Sequence, residues 1–161
     1  WWTTWSSSCD FTNYSSCRLI RRNNMTMRPQ PRFPEPDTQP FWDATKEKKL
    51  MYQTCDDCPE VIFYPRAHCT QCGSLNNTWN QSKGLGTVYT FSVVMQSRHP
   101  AFKDIGPYAV AYVDLDEGFR IMTNVVNVKN PIEDIKIGMK VKLSWLDQGE
   151  GEISLPMFEP A

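Results

Sequence analysis

Cys55-Asp-Asp-Cys58 and Cys69-Thr-Gln-Cys72-Gly73 are two Cys-x-x-Cys knuckles with ten residues between them. Each knuckle turns two sulfurs to one side. Two knuckles that face each other make a tetrahedral cage of four thiolates, a donor set that suits zinc. Such a cage has no open position for water or substrate, so the metal it predicts holds shape and does no chemistry. Disulfides fit poorly, because nothing in the chain has the order of a secretion signal and a reducing cytosol keeps thiols free. A redox Cys-x-x-Cys accounts for one pair and not for two.

Iron in a rubredoxin-like site uses similar knuckles and is the alternative metal. The gap of ten is short for sites of this kind, so the hairpin between the knuckles must be brief. Val61-Ile-Phe-Tyr-Pro65 fits one short strand and then a turn. His68, beside Cys69, reads as a solvent-facing neighbour, with a ligand role as the alternative.

The chain has 161 residues, room for one domain or two small ones. Twelve prolines beside 40% hydrophobic residues point to a globular part and an extended part. No apolar run reaches the length of a membrane helix, and the expected location is cytoplasmic. From Met25 onward there are 14 Lys+Arg against 17 Asp+Glu, a net of −3. Four thiolates on a zinc ion add about two more negative charges. A nucleic-acid binder shows a basic stripe, and this chain has none, so charge argues against such a partner.

Residues 1–24 look foreign to the rest. Trp1-Trp-Thr-Thr-Trp-Ser-Ser-Ser8 has no apolar period, and Arg18, Arg21 and Arg22 follow the serines instead of preceding an apolar core. They read as upstream sequence or a disordered extension, with a targeting peptide as the alternative. Met25 and Met27 are then candidate starts, and Cys9 and Cys17 stay out of the metal count. Pro29 to Pro36 is proline-rich and expected to be extended, so 1–36 is taken as a disordered or non-native extension. The stretch 37–50 reads as an N-terminal helix, capped by Asp37 and with Pro40 tolerated in its first turn. Lys46, Lys48 and Lys49 suit its C-terminal dipole. Its large apolar groups, Phe41 and Trp42, pack on the ribbon or dock a partner.

The metal ribbon is expected over 51–80 and a barrel over 81–161. Gly84-Leu-Gly-Thr-Val-Tyr-Thr-Phe-Ser-Val-Val-Met95 starts at a glycine pair and is rich in β-branched and aromatic residues. Tyr108–Leu115 follows, then an Asp116-Glu-Gly118 hairpin turn into Phe119–Val126. Asn130-Pro131 opens a short link, Lys140–Trp145 alternates, and Gly151–Phe158 comes last. Five strands in so short a stretch suggest a closed barrel, because closure removes exposed edges. A five-stranded Greek-key barrel of the oligonucleotide/oligosaccharide-binding (OB) type is the expected form, with a split sandwich as the alternative.

The order of these pieces resembles the zinc-ribbon/OB-fold family long catalogued as a domain of unknown function and now called acyl-CoA-associated. The features that carry it run from Pro36 to Ala161: Phe41-Trp42-Asp43, the knuckles ending Cys72-Gly73-Ser74, Gly84-x-Gly86-Thr-Val-Tyr89, His99-Pro-Ala-Phe102 with Pro107-Tyr108, Asp114-Leu-Asp-Glu-Gly118, Asn124-Val, Ile137-Gly-Met139-Lys-Val141 and Leu155-Pro-Met-Phe158-Glu-Pro. The resemblance implies a mainly β fold with an N-terminal helix, a rubredoxin-like zinc ribbon and a C-terminal OB barrel. It also implies an accessory subunit that assembles with thiolase-like or hydratase-like enzymes and helps shape their acyl-CoA site, with CoA or acyl-CoA shared with the partner.

The residues themselves offer no catalytic set, and this chain alone is expected not to catalyse. There is no Gly-x-Ser-x-Gly elbow and no phosphate-binding Gly-x-x-x-x-Gly-Lys loop. Gly84-x-Gly86 lacks the rest of a dinucleotide fingerprint and is expected to let the first barrel strand bend. Asp114, Asp116 and Glu117 cluster at a hairpin turn, where acidic residues are common. The loop His99-Pro-Ala-Phe-Lys-Asp-Ile-Gly-Pro107 is the candidate binding element, because loops on a rigid barrel gather binding residues. There Lys103 would meet a CoA phosphate, Phe102 would cover the adenine or pantetheine, and His99 would hydrogen-bond. A plain exposed loop pinned by prolines is the alternative. Two rival functions remain: a nucleic-acid module stacking bases on Tyr89, Phe91, Tyr112 and Phe119, and a small iron electron carrier.

Overall fold

The computed structural model describes residues 28–30 and 35–161. The expectations for residues 1–24 and the candidate starts Met25 and Met27 lie outside the described residues. Helix α1 covers Gln39–Lys46, shorter at both ends than the expected 37–50. Pro40 stands in its first turn, where a missing N–H costs nothing. The cap is a correction. Thr38, not Asp37, is the N-cap, and its hydroxyl donates back to the Glu35 carbonyl instead of capping the helix. At the other end Lys48 takes a φ of 58°, and the Lys49 N–H returns to the Ala44 carbonyl at 3.0 Å. That left-handed turn closes the helix and directs the chain into the ribbon.

The ribbon is a three-stranded antiparallel sheet in the order β2-β1-β3, with β1 Met51–Cys55, β2 Val61–Ile62 and β3 Asn77–Gln81. Only the Val61 strand is expected from sequence. Asn77-Thr-Trp-Asn-Gln81 buries no residue fully, so it lacks the apolar alternation that marks a strand. It becomes one because β1 supplies five paired positions, from Met51↔Gln81 to Cys55↔Asn77.

The barrel strands are β4 Leu85–Val94, β5 Tyr108–Leu115, β6 Arg120–Val125, β7 Lys140–Leu146 and β8 Leu155–Pro160. They close in the order β4-β5-β6-β8-β7, with β7 returning to β4. Every pairing is antiparallel except β6 with β8. This is the expected OB barrel and not a split sandwich. A short helix, α2 (Pro131–Asp134), plugs the link between β6 and β7, capped by the Asn130 side chain on the Ile132 N–H at 3.1 Å. The last strand begins at Leu155, later than expected, because Gly149 and Gly151 take positive φ and keep turning the chain.

Strand β5 shows why the sheet curls. Ala109, Ala111, Val113 and Leu115 point inward and are buried, while Tyr112 faces out. A register shift at Val88/Thr90 bends β4 so that it can pair with β5 on one side and β7 on the other.

Helix, ribbon and barrel share one core. Phe41 lies 5.0 Å from Trp42 and 5.9 Å from Phe63, measured between ring centroids. Phe63 stacks on Phe119 at 4.6 Å, and Tyr52 stacks on Phe119 at 5.1 Å. Phe119, at the start of the β5–β6 return, is therefore the knob on which the ribbon sits.

The glycine pair has a firmer reason than flexibility. A Cβ on Gly86 would stand 2.6 Å from the Asp114 carbonyl oxygen and 2.8 Å from Val113 Cγ1. One on Gly84 would run into the Leu143 side chain, at a φ of +71°. The pair lets β4 approach β5 and β7 closely where the barrel closes. Gly86→Ala should therefore destabilise the fold by about 1–3 kcal/mol, as overpacking against backbone does. A urea denaturation series reads this out; an unchanged midpoint would show that the strands part freely there.

Candidate metal centre and binding groove

Cys55 ends β1, Cys58 follows in the turn, and Cys69 and Cys72 lie on the loop that leads to β3. The knuckles face each other. All four sulfurs lie within 4.8 Å of one another. Cys55 and Cys72 are 3.6 Å apart at Sγ, as are Cys58 and Cys69. A disulfide needs about 2.05 Å. Thiolates at about 2.3 Å from a tetrahedral ion stand about 3.8 Å from each other, so the spacing fits a bound metal. His68 is exposed and is not part of this cluster.

The residues between the cysteines also have work. The Asp57 carboxylate accepts from the Ser74 hydroxyl and from Asn76 Nδ2, at 3.0 Å for the latter. Those hydrogen bonds, that from Ser74 foremost, hold its carboxyl below the usual carboxylate range. The Asp56 carboxylate accepts from the Thr78 hydroxyl at 2.8 Å. The two aspartates thus tie the first knuckle to the second and to β3. No signal in sequence marks these partners, because the polar residues of a knuckle read as solvent-facing turn residues.

The sulfurs are not equivalent. The amides of Cys72 and Gln71 bring the Cys69 thiol down to about 7. The Glu60 amide favours the Cys58 thiolate, but desolvation and the neighbouring sulfurs outweigh it and hold that thiol up at about 12. Four crowded thiols cannot all ionise by themselves. A divalent cation is what lets them do so. Cys55, Cys58, Cys69 and Cys72 are the residues that would hold it, and a fully coordinated ion there supplies rigidity.

A second feature lies where the three parts meet. An apolar groove of about 420 Å³ runs between α1, the ribbon turn and strands β6 and β8. Trp42, Pro65, Phe102, Met122 and Met157 are among its walls, and Arg28 reaches in from the N-terminal side. Of the loop candidates, Phe102 lines this groove, stacked on Tyr108 at 5.4 Å. His99 sets its ring edge against Phe102 at 5.6 Å and takes the Ala101 N–H on Nδ1 at 3.1 Å. Lys103 is exposed on the same loop. Phe41 is buried and Trp42 half-buried, and both also touch the groove. The structure thus brings Phe41, Trp42 and Phe102 to one place and leaves His99 and Lys103 at its margin.

The acidic turn is engaged structurally. Asp114 pairs with Arg120 at 2.5 and 3.0 Å, and the Glu117 carboxylate accepts the Lys83 N–H at 2.6 Å. Arg28 also lines the groove, a position that sequence reading missed because the residue falls in 1–36. It is docked: its N–H donates to Gln148 Oε1 at 2.7 Å, and Nη1 donates to Asn124 Oδ1 at 2.6 Å. A single arginine beside a proline carries no local signal of this.

Replacing one sulfur tests the clasp. Cys58→Ser should lower bound metal well below one ion per chain and open the ribbon to proteolysis between 51 and 81. Metal binding supplies folding free energy in such sites, on the order of 10 kcal/mol. Elemental analysis with limited trypsin digestion measures both; full zinc content in the variant would refute the ligand set.

Comparison with known proteins agrees with this geometry. Residues 42–78 match the family model "ChsH2, rubredoxin-like zinc ribbon domain", and residues 79–146 match "ChsH2, C-terminal OB-fold domain". The chain is 38% identical over 136 residues to a "Probable enoyl-CoA hydratase alpha subunit" of Thermomonospora curvata; the match covers 84% of this chain but only 40% of that protein. It is 37% identical over 107 residues to a "DUF35 domain-containing scaffold protein" of Methanocaldococcus jannaschii, covering 63% of this chain and 71% of that one. Among solved structures, a chain of the "Ltp2-ChsH2(DUF35) aldolase" superposes with a TM-score of 0.72 at 37% identity, over 81% of this chain and 98% of that one. Two facing knuckles, a closed β4-β5-β6-β8-β7 barrel and these matches lead to one conclusion: the chain belongs to the acyl-CoA-associated zinc-ribbon/OB-fold family of ChsH2-type DUF35 proteins.

Proposed function

We propose that this chain is a non-catalytic accessory subunit that binds a thiolase-like or hydratase-like enzyme and helps to form its acyl-CoA site. The observation that carries this reading is the match over 84% of the chain to a protein named as one subunit of an enoyl-CoA hydratase. A solved relative that forms part of an aldolase, and relatives named scaffold proteins, support it further. Among the described residues both imidazoles are exposed, His99 Nδ1 is taken by a backbone amide, and Asp114 is locked to Arg120. None of these stands as a base beside a nucleophile. In this reading the four cysteines hold structural zinc. Phe102 faces the acyl or pantetheine part of a shared CoA thioester, Lys103 meets its phosphates, and His99 steadies the Phe102 ring. Phe41 and Trp42 support the partner-facing wall of the groove.

One observation speaks for a nucleic-acid module: Tyr89 and Tyr112 are exposed on the barrel, where bases could stack. The other two stacking candidates do not serve. Phe119 is buried under the ribbon, and Phe91 is half-buried against the core. The net charge of −3 from Met25 onward opposes it as well.

Affinity capture of the tagged chain from its native host, followed by mass spectrometry, should recover a larger acyl-CoA enzyme, and the isolated chain should not turn over enoyl-CoA or 3-ketoacyl-CoA. A partnerless monomer in the native host would count against the reading. Salt-sensitive binding of single-stranded DNA would favour the rival.

A further inference from the structure

Arg28 is a cation set in apolar surroundings. Its guanidinium carbon lies 5.1 Å from the centre of the Phe102 ring. Burial is the main influence on the group and works against its charge. Arginine stays protonated in proteins, so that charge must be met rather than removed. Among the described residues, however, no carboxylate lies within 4 Å of it. Its side-chain acceptors there are Asn124 Oδ1 at 2.6 Å and, more weakly, Met157 Sδ at 3.9 Å, both from Nη1. Asn124 is itself fixed, since its Nδ2 donates to the Ala109 carbonyl at 2.8 Å. The guanidinium has five N–H donors in a planar fork. One is bound to Asn124 and holds the fork in place, while others remain to meet a second planar group.

The groove before it is apolar and of a size that holds a small organic ligand. We infer that this groove is a binding site for a carboxylate-headed apolar acid, with the carboxylate on Arg28 and the chain between Trp42, Pro65, Met122 and Met157. A carboxylate fits the fork in two parallel hydrogen bonds, which a hydroxyl or an ester does not match. The site shares this groove with the accessory-subunit reading, but its binding residues all belong to this chain, so it can be tested without a partner.

The test uses the full chain with ¹³C-methyl-labelled methionine. Met122 and Met157 line the groove, whereas Met139 is not among its walls. Octanoate should shift the Met122 and Met157 methyl signals and spare Met139. Octanol has the same chain without the charge and should bind at least about tenfold more weakly, the loss of a charged hydrogen bond. In R28Q, at unchanged zinc content and melting temperature, octanoate affinity should fall to that of octanol. Equal affinity of octanoate and octanol for the unsubstituted chain would overturn the assignment, with no variant needed. So would octanoate binding that survives R28Q. If octanoate fails but an acidic peptide from a partner moves the same methyls through Arg28, the groove docks protein and the small-acid site falls. In every case the capture of a partner enzyme is a separate result.

Discussion

The ribbon has almost no core of its own, and the four-sulfur clasp is what stands in for one. Its buried cluster consists of Cys55, Ile62 and Cys69, with Cys58 against it. Three strands of five, two and five residues cannot bury enough apolar surface to offset their own ordering. A metal held by the clasp would supply the missing free energy, and the clasp fixes a direction as well. Drawing Cys58 toward Cys69 folds the short β1–β2 hairpin back, and that hairpin leads directly into Phe63. Phe63 then stacks on Phe119 of the barrel and packs on Phe41 of the helix. The placement of the four sulfurs at one end of the ribbon is thereby linked to the walls of a groove at the other.

The barrel is the rigid side of that arrangement. Its closure leaves no free edge for a partner strand to extend, so recognition must use loops and outward side chains. The β4–β5 loop carries Phe102, and the segment before β8 carries Gln148, which holds the Arg28 N–H. The Tyr64 hydroxyl accepts the Met122 N–H at 3.4 Å and joins the ribbon turn to β6. The groove therefore exists only when helix, ribbon and barrel are assembled together.

How much of this was legible in the sequence follows from the range of each interaction. The cysteine knuckles are local, and their spacing announces the cage. Alternation along 108–115 and the Asp116-Glu-Gly118 turn are local too, and they give the barrel's β5 and β6. Strand β3 was not legible, because its strand character comes from β1 and not from its own polar residues. Phe119 looked like a candidate for stacking a ligand, since nothing near it says that Phe63 and Tyr52 cover it. The acidic pair inside the first knuckle looked like turn filler until Ser74, Asn76 and Thr78 were placed beside it. Arg28 lay in a stretch set aside for its composition, and its contacts are with residues 96 and 120 positions away.

Two arginines lie over aromatic rings in this structure, and the contrast between them separates support from recognition. Arg120 stands 3.5 Å from the centre of the Tyr89 ring and is paired in two contacts with Asp114. Its charge is answered within the barrel, and that hydrogen-bonded carboxylate is the main reason its pKa rises. It braces the bulged part of β4 against β6, and the Asp114 carboxylate already neutralises the charge that an anion would meet. The nucleic-acid reading needs cations beside the exposed tyrosines, and the cation at Tyr89 is already spent on Asp114. Arg28 has the same ring contact without the carboxylate, and it faces an apolar groove instead of open solvent. A protein that answers one arginine with a carboxylate, and meets another with an amide oxygen, a thioether sulfur and an aromatic ring but no carboxylate among its described neighbours, has placed that charge at the junction of its three parts.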